Sequence, residues 1–365
     1  MKRSTPTNSA TKGSPQQLRE INCRPGLTLD QARRLTFSFE LMLKTQNIKM
    51  SERQMHRSVS LRIALLCLLT LSVNCPFVPS ADAQTCGGED VAVQVLGSGG
   101  PELQDKRASS SYLVWQDGQA RVLVDAGGGS ALRFGESGAK MSQLDVILFT
   151  HYHIDHSADF PSLVFSSWFE ERDRPLPVYG PAGNNDFPST VDFVHAFFNP
   201  RNGIFRYLAV VLVAQEEGGY ELQPHNVDGD PSSMAFRGEH LSAYAARVIH
   251  GSVPALAWRV EIGGKSVVFS GDTNGEGDLV RLANDADLFI AHNAVPEGAT
   301  GVERRLHMPP SVIGRIAQEA HVKQLVLSHR MLRTLGKEEQ TLSEIRKSFS
   351  GPVAFANDLD CFPVQ

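Results

Sequence analysis

Four side chains that commonly bind metals lie within six residues, in the run His151–His156, which reads His-Tyr-His-Ile-Asp-His. The run directly follows 145–150, an apolar stretch that predicts a buried strand. Imidazole nitrogens and carboxylate oxygens suit zinc and its first-row neighbours. A lone histidine is more often structural, but that explanation does not fit four ligand-type side chains at this spacing. Residues two apart in an extended segment point to the same side, so we expect His151 and His153 at one metal. We expect Asp155 and His156 to turn toward a second metal.

Three further ligand-type residues follow apolar stretches elsewhere in the chain. His250 ends the predicted strand 246–250, Asp272 follows 266–270, and His329 follows 325–328. Loops that leave a sheet are the usual place for a functional site. Each residue alone is ambiguous, but together they complete two coordination shells, with Asp272 placed to bridge two cations.

Short β-rich runs alternate with turns and helical stretches from residue 91 onward. Gly263-Gly264 predicts a hairpin turn, and 310–320 has helical spacing. Strands with interleaved helices favour an α/β fold of packed layers over a pure barrel or bundle. The segment between His156 and His250 has the least regular pattern. It is either a cap over the site or a set of surface loops. We expect its aromatic residues in the core. The remaining predicted strands are 91–96, 111–115, 121–124, 177–179 and 255–262.

The order His-x-His-x-Asp-His, His, Gly-Asp-Thr, His resembles the metallo-β-lactamase superfamily, and within it the ribonuclease Z and zinc arylsulfatase-like branch. The resemblance extends over about 91–332. It implies the superfamily's αβ/βα four-layer sandwich, with two mixed sheets flanked by helices. Three further stretches carry the resemblance: the glycine-rich loop at 96–101, Asp125-Ala126-Gly127, and Tyr179-Gly180-Pro181.

The resemblance also implies roles for individual residues and two Zn²⁺ ions, or other divalent first-row metals, as cofactors. His307, in Leu-His-Met-Pro-Pro, resembles the histidine that assists the leaving group; the alternative is a surface histidine at the start of a helix. Asp155 and Asp272 would orient a metal-bridging hydroxide, and Asp125 is the first candidate to support a ligand histidine. His292 is a weaker candidate for such support. The implied ligands are His151, His153 and His250 for one metal, Asp155, His156 and His329 for the other, and Asp272 between them.

Residues 56–83 have the layout of a secretory signal peptide. A basic start precedes an apolar run at 63–73, which is too short to span a bilayer, and Ala-Asp-Ala at 81–83 provides a cleavage site. A buried helix is the alternative. We therefore expect residues 1–55 to be a disordered or mis-assigned upstream extension, with the true start at Met50 or Met55. Residues 84–365 would form a periplasmic or secreted hydrolase domain without a stable membrane span.

Residues 84–365 keep 23 of the 35 basic and 35 of the 40 acidic residues, which gives this part a net charge of −12. An acidic body disfavours nucleic acid, whose binding draws on cationic contacts. The cysteines left in this part are Cys86 and Cys361, and in an exported protein they favour a disulfide over two free thiols.

The sequence therefore predicts a binuclear metal-dependent hydrolase of a small exported ester, such as an aryl sulfate or phosphodiester. The alternatives are a tRNA 3′-processing endoribonuclease like ribonuclease Z and a lactonase. Against ribonuclease Z, only 21 residues separate His250 from Asp272, too few for the arm with which that family grips tRNA. A non-catalytic binding module is disfavoured because every ligand position is intact. The oligomeric state stays open, with a dimer as one option.

Overall fold

The computed structural model describes residues 86, 88, 90–213 and 220–365. The predicted extension and signal peptide at 1–83 lie outside the described residues, so both stay predictions. Within the described part, no helix combines the length and apolar character needed to cross a membrane.

The first sheet has seven strands in the order β14-β1-β2-β3-β4-β5-β6. It is mixed, because β14, β1, β2 and β3 pair antiparallel whereas β3, β4, β5 and β6 run parallel. Its strands are β1 (Val91–Gly97), β2 (Ser111–Gln116), β3 (Gln119–Val124), β4 (Val146–Leu148), β5 (Leu176–Pro181), β6 (Leu222–Val227) and β14 (Cys361–Pro363).

The second sheet also has seven strands, in the order β13-β12-β11-β10-β9-β8-β7. Strands β7 to β10 pair antiparallel, and β10 to β13 run parallel. The predicted hairpin joins β9 to β10, and Gly263 and Gly264 adopt φ of 57° and 73°, in the left-handed region that its tight turn requires. The strands are β7 (Met234–Arg237), β8 (Leu241–His250), β9 (Val253–Ile262), β10 (Lys265–Phe269), β11 (Leu288–His292), β12 (Gln324–Ser328) and β13 (Val353–Phe355).

Helices cover the outer face of each sheet. Phe134, Phe160 and Phe193 pack from helices onto the first sheet, and Leu279 and Ile316 onto the second. The described α-helices are α1 (Ser130–Glu136), α2 (Ile154–Ser157), α3 (Phe160–Ser166), α4 (Thr190–Phe198), α5 (Leu279–Ala283), α6 (Gly301–Leu306), α7 (Pro310–Glu319) and α8 (Glu338–Ile345). Short 3₁₀ turns lie at Met141–Gln143, Ser167–Phe169 and Arg206–Leu212.

Three apolar clusters separate these layers, and β1 shows how one strand contributes to two of them. Val91, Val93 and Val95 join the cluster between the sheets, whereas Ala92 and Leu96 face the helices. Side chains alternate along a strand, so a strand covered on both faces is apolar throughout. Two sheets back to back with helices outside form the αβ/βα four-layer sandwich, which confirms the predicted fold class.

A disulfide joins Cys86 to Cys361, with a Cα–Cα distance of 5.7 Å. Cys361 begins β14 and pairs with Gln94 of β1, while Cys86 lies shortly before β1. The bridge ties the beginning of the described domain to its end. The predicted pairing of these two cysteines is thus confirmed.

The segment between His156 and His250 is more regular than the sequence indicated. It contributes α3, α4, β5, β6 and β7, so much of it belongs to the sandwich. Phe193 and Phe198 are buried in the core, as expected, but Trp168 and Phe169 are 48% and 81% exposed. The core assignment therefore holds for the aromatic residues of α4 and is wrong for those two.

Candidate metal centre

The candidate ligands all lie just beyond strand ends at one edge of the sandwich. The run His151–His156 follows β4, His250 ends β8, Asp272 follows β10 and His329 follows β12. Carboxyl ends of parallel strands meet at one edge of a sheet, where α/β folds place their sites. The backbone at His329 has φ of 51°, an uncommon value for a residue with a side chain.

Local structure divides the cluster into two halves. The chain is extended through His153, whose φ and ψ are −65° and 152°, and turns helical at Ile154. The His156 amide donates to the His153 carbonyl oxygen at 3.0 Å, which closes this turn. Asp155 and His156 therefore lie in a helical turn, whereas His151 and His153 lie in the extended segment before it.

The first half consists of His151, His153 and His250. His153 Nδ1 lies 3.1 Å from His151 Nε2 and 3.3 Å from His250 Nε2. Two nitrogens bound tetrahedrally to one zinc ion at about 2.0–2.1 Å lie roughly 3.3 Å apart. The three nitrogens thus have the spacing of ligands that share one cation.

The second half consists of Asp155, His156 and His329. Asp155 Oδ2 lies 3.3 Å from His329 Nε2 and 3.8 Å from His156 Nε2. His156 and His329 are buried, and their rings stack with centroids 5.2 Å apart. These three side chains can surround a second cation.

Asp272 lies between the two halves and is 3% exposed. Its Oδ2 is 3.9 Å from His151 Nε2, 3.7 Å from His250 Nε2 and 3.6 Å from His156 Nε2. Its Oδ1 is 3.4 Å from His329 Nε2. Because both halves lie within reach of one carboxylate, Asp272 has the position of a bridging ligand.

Hydrogen bonds fix which nitrogen of each histidine faces the centre. His250 Nδ1 donates to the Leu306 carbonyl oxygen at 2.9 Å, which leaves Nε2 as the ligand atom. The Thr150 hydroxyl donates its proton to Asp125 at 2.8 Å. It can therefore only accept in its 3.1 Å contact with His151 Nδ1, where the imidazole is the donor. Both ligands therefore direct Nε2 toward the first half.

Asp125 contacts a ligand of the second half, the position that the sequence predicted for it. Its Oδ2 accepts from His156 Nδ1 at 2.8 Å, and its Oδ1 accepts from the Thr150 amide at 2.7 Å. Burial raises the pKa of Asp125, although the neighbouring His156 opposes this effect. These hydrogen bonds place Asp125 to orient the imidazole of His156.

The donor set fits a cation. His156 Nε2 is buried without a hydrogen-bond partner in the described structure, and buried polar atoms rarely stay unpaired. Burial alone would lower the pKa of His156, but Asp125, Asp155 and Asp272 together hold it well above its usual value. Asp155 and Asp272 lie near the unpartnered Nε2, whereas Asp125 accepts from Nδ1. A divalent cation at Nε2 would supply the positive charge that these carboxylates require.

The two ligand carboxylates are ionised at neutral pH, the form that binds metal. Burial raises the pKa of Asp155, but His156 and His329 outweigh it and lower the pKa to about 2. Asp272 is likewise held well below its usual pKa, since His329, His307 and His156 overcome the effect of burial.

His292, a weak candidate from the sequence, is in direct contact with the centre. Its Nδ1 lies 2.8 Å from Asp272 Oδ1, and its Nε2 lies 3.0 Å from the Tyr112 hydroxyl, which donates to Ser328. Both ring nitrogens have protein partners, so His292 positions Asp272 and is not needed as a ligand. Burial lowers the pKa of His292 to about 4.

His307 lies beside the first half of the centre, in extended backbone after α6 and before Pro310, where α7 begins. The sequence placed it at the start of a helix, whereas the structure places it between two helices. Its ring centroid is 5.3 Å from that of His250 and 5.9 Å from that of His329. Burial lowers its pKa to about 3, so the free imidazole is neutral at pH 7.

Gly100 of the glycine-rich loop fits directly against His329. A Cβ at this position would lie 2.8 Å from His329 Cε1 and 3.2 Å from Nδ1, closer than carbon atoms pack. The resemblance identified this loop, and its position explains why a glycine occupies it. The structure thus brings together all seven candidate ligands, His307 and the weaker candidate His292, and it adds Gly100 to the site.

The fold and site define a class of metal-dependent hydrolases, and comparisons with known proteins agree. Residues 120–330 match the family model described as beta-lactamase superfamily domain. The ribonuclease Z of Mycolicibacterium paratuberculosis is 30% identical over 292 residues, covering 74% of this chain and 96% of that protein. The ribonuclease Z of Methanosarcina acetivorans is 26% identical over 295 residues, covering 73% and 96%.

Two solved structures share the fold. The metallo-β-lactamase fold protein YhfI from Bacillus subtilis has a TM-score of 0.58 and 22% identity, covering 74% of this chain and 98% of its own. The short form of human tRNase Z has a TM-score of 0.56 and 22% identity, covering 75% and 99%. The chain belongs to the β-lactamase superfamily, with ribonuclease Z among its relatives. It is a metal-dependent hydrolase that acts on ester bonds.

Proposed function

We propose that this chain is a two-zinc phosphodiesterase that acts on RNA 3′ ends, as the name of its ribonuclease Z relatives suggests. The observation that carries this proposal is their match along 96% of their own length, at up to 30% identity. The same relatives favour RNA over the aryl sulfate that the sequence put first. The donor set supports the metal: three imidazoles in one half, and two imidazoles with a carboxylate in the other.

His151, His153 and His250 would hold one zinc ion, and Asp155, His156 and His329 the other, with Asp272 shared. Two such cations supply Lewis-acid activation of water and of the phosphoryl group. The chain's own contribution is to fix the ligand atoms through the hydrogen bonds of Asp125, Thr150 and the Leu306 carbonyl. Burial of these groups keeps bulk water from competing for them.

Asp155 and Asp272 have further catalytic roles in this proposal, because ionised carboxylates at the centre can orient the attacking water. His307 is neutral in the free protein. A bound anionic phosphodiester favours its imidazolium form, since an opposite charge raises the pKa of an imidazole. In that form His307 can donate a proton to the departing 3′ oxygen.

A second candidate, a small phosphodiester handled outside the cytoplasm, is favoured by one specific observation. Strands β8 and β9 are joined by a turn of only Gly251 and Ser252, and β10 follows after Gly263-Gly264. No arm projects between His250 and Asp272. The predicted signal peptide, with a periplasmic or secreted location, belongs to this second candidate and is a proposal with it.

One set of assays separates the two candidates. The purified protein is loaded with zinc and tested on a precursor tRNA, bis-p-nitrophenyl phosphate and p-nitrophenyl sulfate, with Asp272→Asn as the inactive control. We expect cleavage of the precursor at its 3′ trailer and of the phosphodiester, and no release from the sulfate. Hydrolysis of the small phosphodiester with an intact precursor would establish the second candidate instead. Preferential hydrolysis of the sulfate would refute both.

A further inference from the structure

A cleft opens beside His307. It has a volume of about 450 Å³. Its lining residues are Thr300, Val302, Glu303, Leu306, His307 and Arg333. The ring of His307 is also 5.3 Å from that of His250, so this one side chain borders both the metal centre and the cleft.

The guanidinium of Arg333 is held in a fixed position at this cleft. Its Nε donates to the Ala294 carbonyl oxygen at 2.6 Å, and its Nη1 forms an ion pair with Glu303. Among the described residues, the partner of Nη2 is the thioether of Met331 at 3.2 Å, and a thioether is a weak acceptor. The Arg333 side chain is 31% exposed. Its Nη2 is therefore a fixed donor that can bind a stronger acceptor from solvent.

Two further arginines lie near this cleft, whose lining also includes Glu303, the ion-pair partner of Arg333. Arg304 and Arg305 lie on α6, which borders the same cleft, and Arg305 is exposed. The positive charge of Arg333 is also one of the influences that lower the pKa of His307, which places the two groups within electrostatic reach. A planar guanidinium donates well to the oxygens of phosphates and carboxylates.

We propose that Arg333 binds the phosphate next to the scissile one, on the leaving-group side of a nucleic-acid strand. This inference rests on the proposed function, in which His307 donates a proton to the departing 3′ oxygen. His307 borders both the centre and the cleft, so the departing group lies next to the cleft. The nucleoside that departs carries its own 5′ phosphate, and that phosphate enters the cleft. Arg333 is thus a specificity-determining residue that favours an oligonucleotide over an isolated diester.

The matched substrates are uridylyl-uridine and the same dinucleotide with a 5′ phosphate, compared on the zinc-loaded full chain. Hydrolysis gives uridine and 5′-UMP from the first and two molecules of 5′-UMP from the second; these products also exclude contaminating nucleases that form cyclic phosphates. We expect the 5′ phosphate to raise kcat/KM at least about tenfold, because a hydrogen bond between charged groups contributes that much.

Arg333→Gln should bring the phosphorylated dinucleotide down to the level of the plain one, mainly through KM. Arg333→Lys should recover part of the difference, since it keeps the charge but not the planar donor fork. Arg315→Gln is the matched control, because Arg315 pairs with Glu319 on the surface of α7; it should leave both substrates unchanged. Arg315→Gln should also hydrolyse bis-p-nitrophenyl phosphate as the unmodified protein does.

Equal kcat/KM for the two dinucleotides in the unmodified protein would overturn the inference without touching the proposed function. So would a 5′-phosphate preference that survives in Arg333→Gln. Failure to hydrolyse either dinucleotide or bis-p-nitrophenyl phosphate would overturn the proposed function and the inference with it. The comparison within the unmodified protein keeps the test decisive even where a variant folds poorly.

Discussion

Replacing Asp125 by asparagine should weaken binding of the cation in the second half of the centre while leaving the fold intact. Asp125 is not a metal ligand in this arrangement; it acts through its hydrogen bonds with His156 and Thr150. Its backbone has φ of 58°, a region that asparagine tolerates well and alanine does not. Asp125→Asn therefore changes the charge and one hydrogen-bonding atom without adding backbone strain.

The expected magnitude follows from the contacts of Oδ2, which accepts from His156 Nδ1 and from the Thr150 hydroxyl, each at 2.8 Å. An amide NH₂ at the Oδ2 position would lose the hydrogen bond from His156 Nδ1, whereas the Thr150 hydroxyl can rotate to accept from it. One charge-assisted hydrogen bond contributes about 1.5–3 kcal/mol. Loss of a partner that orients a metal-bound histidine typically weakens metal binding about 10–100-fold, which is about 1.4–2.7 kcal/mol. The two estimates agree, so we expect a loss within that range for one of two zinc equivalents.

Zinc affinity is measured by competition with a chromophoric chelator on metal-free protein, with unfolding in urea as a parallel readout. Asp287→Asn is the matched control, because Asp287 is also a buried carboxylate that accepts from three groups, the amide and hydroxyl of Ser266 and the ammonium of Lys323. It should lower stability without changing zinc affinity. Equal zinc affinities for the unmodified protein and Asp125→Asn, or an equal loss in Asp287→Asn, would refute the reasoning.

Three further outcomes can be measured. Gly100→Ala places a Cβ against His329 and should lower kcat/KM at least about tenfold, whereas Gly135→Ala, where a Cβ meets nothing within 4 Å, should not. Removing the disulfide should cost about 2–5 kcal/mol in urea unfolding, with zinc stoichiometry unchanged. Burial raises the pKa of Asp287, but Lys323 and Ser266 outweigh it and hold it below its usual value. The ionised Asp287 therefore stabilises the fold above its unfolded-state pKa of about 3.9, and this stabilisation is lost as pH falls through its folded-state pKa. Below about pH 5, the free energy of unfolding of Asp287→Asn should depend less on pH than that of the unmodified protein.

Most of the strands that the sequence predicted are buried on both faces, because such strands are apolar throughout; β11 is buried in the same way and was missed. Those that it missed lie mostly at sheet edges. Strand β6 contains Pro224 and is partly exposed, and β7 is partly to fully exposed. β13 and β14 have three residues each. Edge strands need not be apolar and often contain proline, so periodicity gives little signal for them. The strand order also depends on pairings between distant segments that no local pattern encodes.

The ligands were found because each residue type and spacing carries metal chemistry by itself, and the resemblance then ordered them. His292 had no such marker. Its contact with Asp272 exists because β11 lies parallel to β10, which brings the two strand ends together. A signal was nevertheless present: Leu288–Ala291 is an apolar run ending in a histidine, the same pattern that precedes His329. The role of Arg333 had no counterpart in sequence, because it depends on a cleft formed by separate segments.

The net charge of −12 over 84–365 is a weaker argument against nucleic acid than the sequence alone indicates. At physiological ionic strength, exposed charges are largely screened beyond about 8 Å, so distant surface carboxylates contribute little at the catalytic cleft. What a phosphate meets there is set by nearby groups, namely Arg333, Glu303 and His307, which line the cleft, and the cations that we propose for the centre. Salt dependence distinguishes the two descriptions. If these few local contacts govern binding, log kcat/KM for an oligonucleotide should fall with log salt at a slope of only about −1 to −2. A slope of zero or above would mean that the acidic body governs the encounter instead.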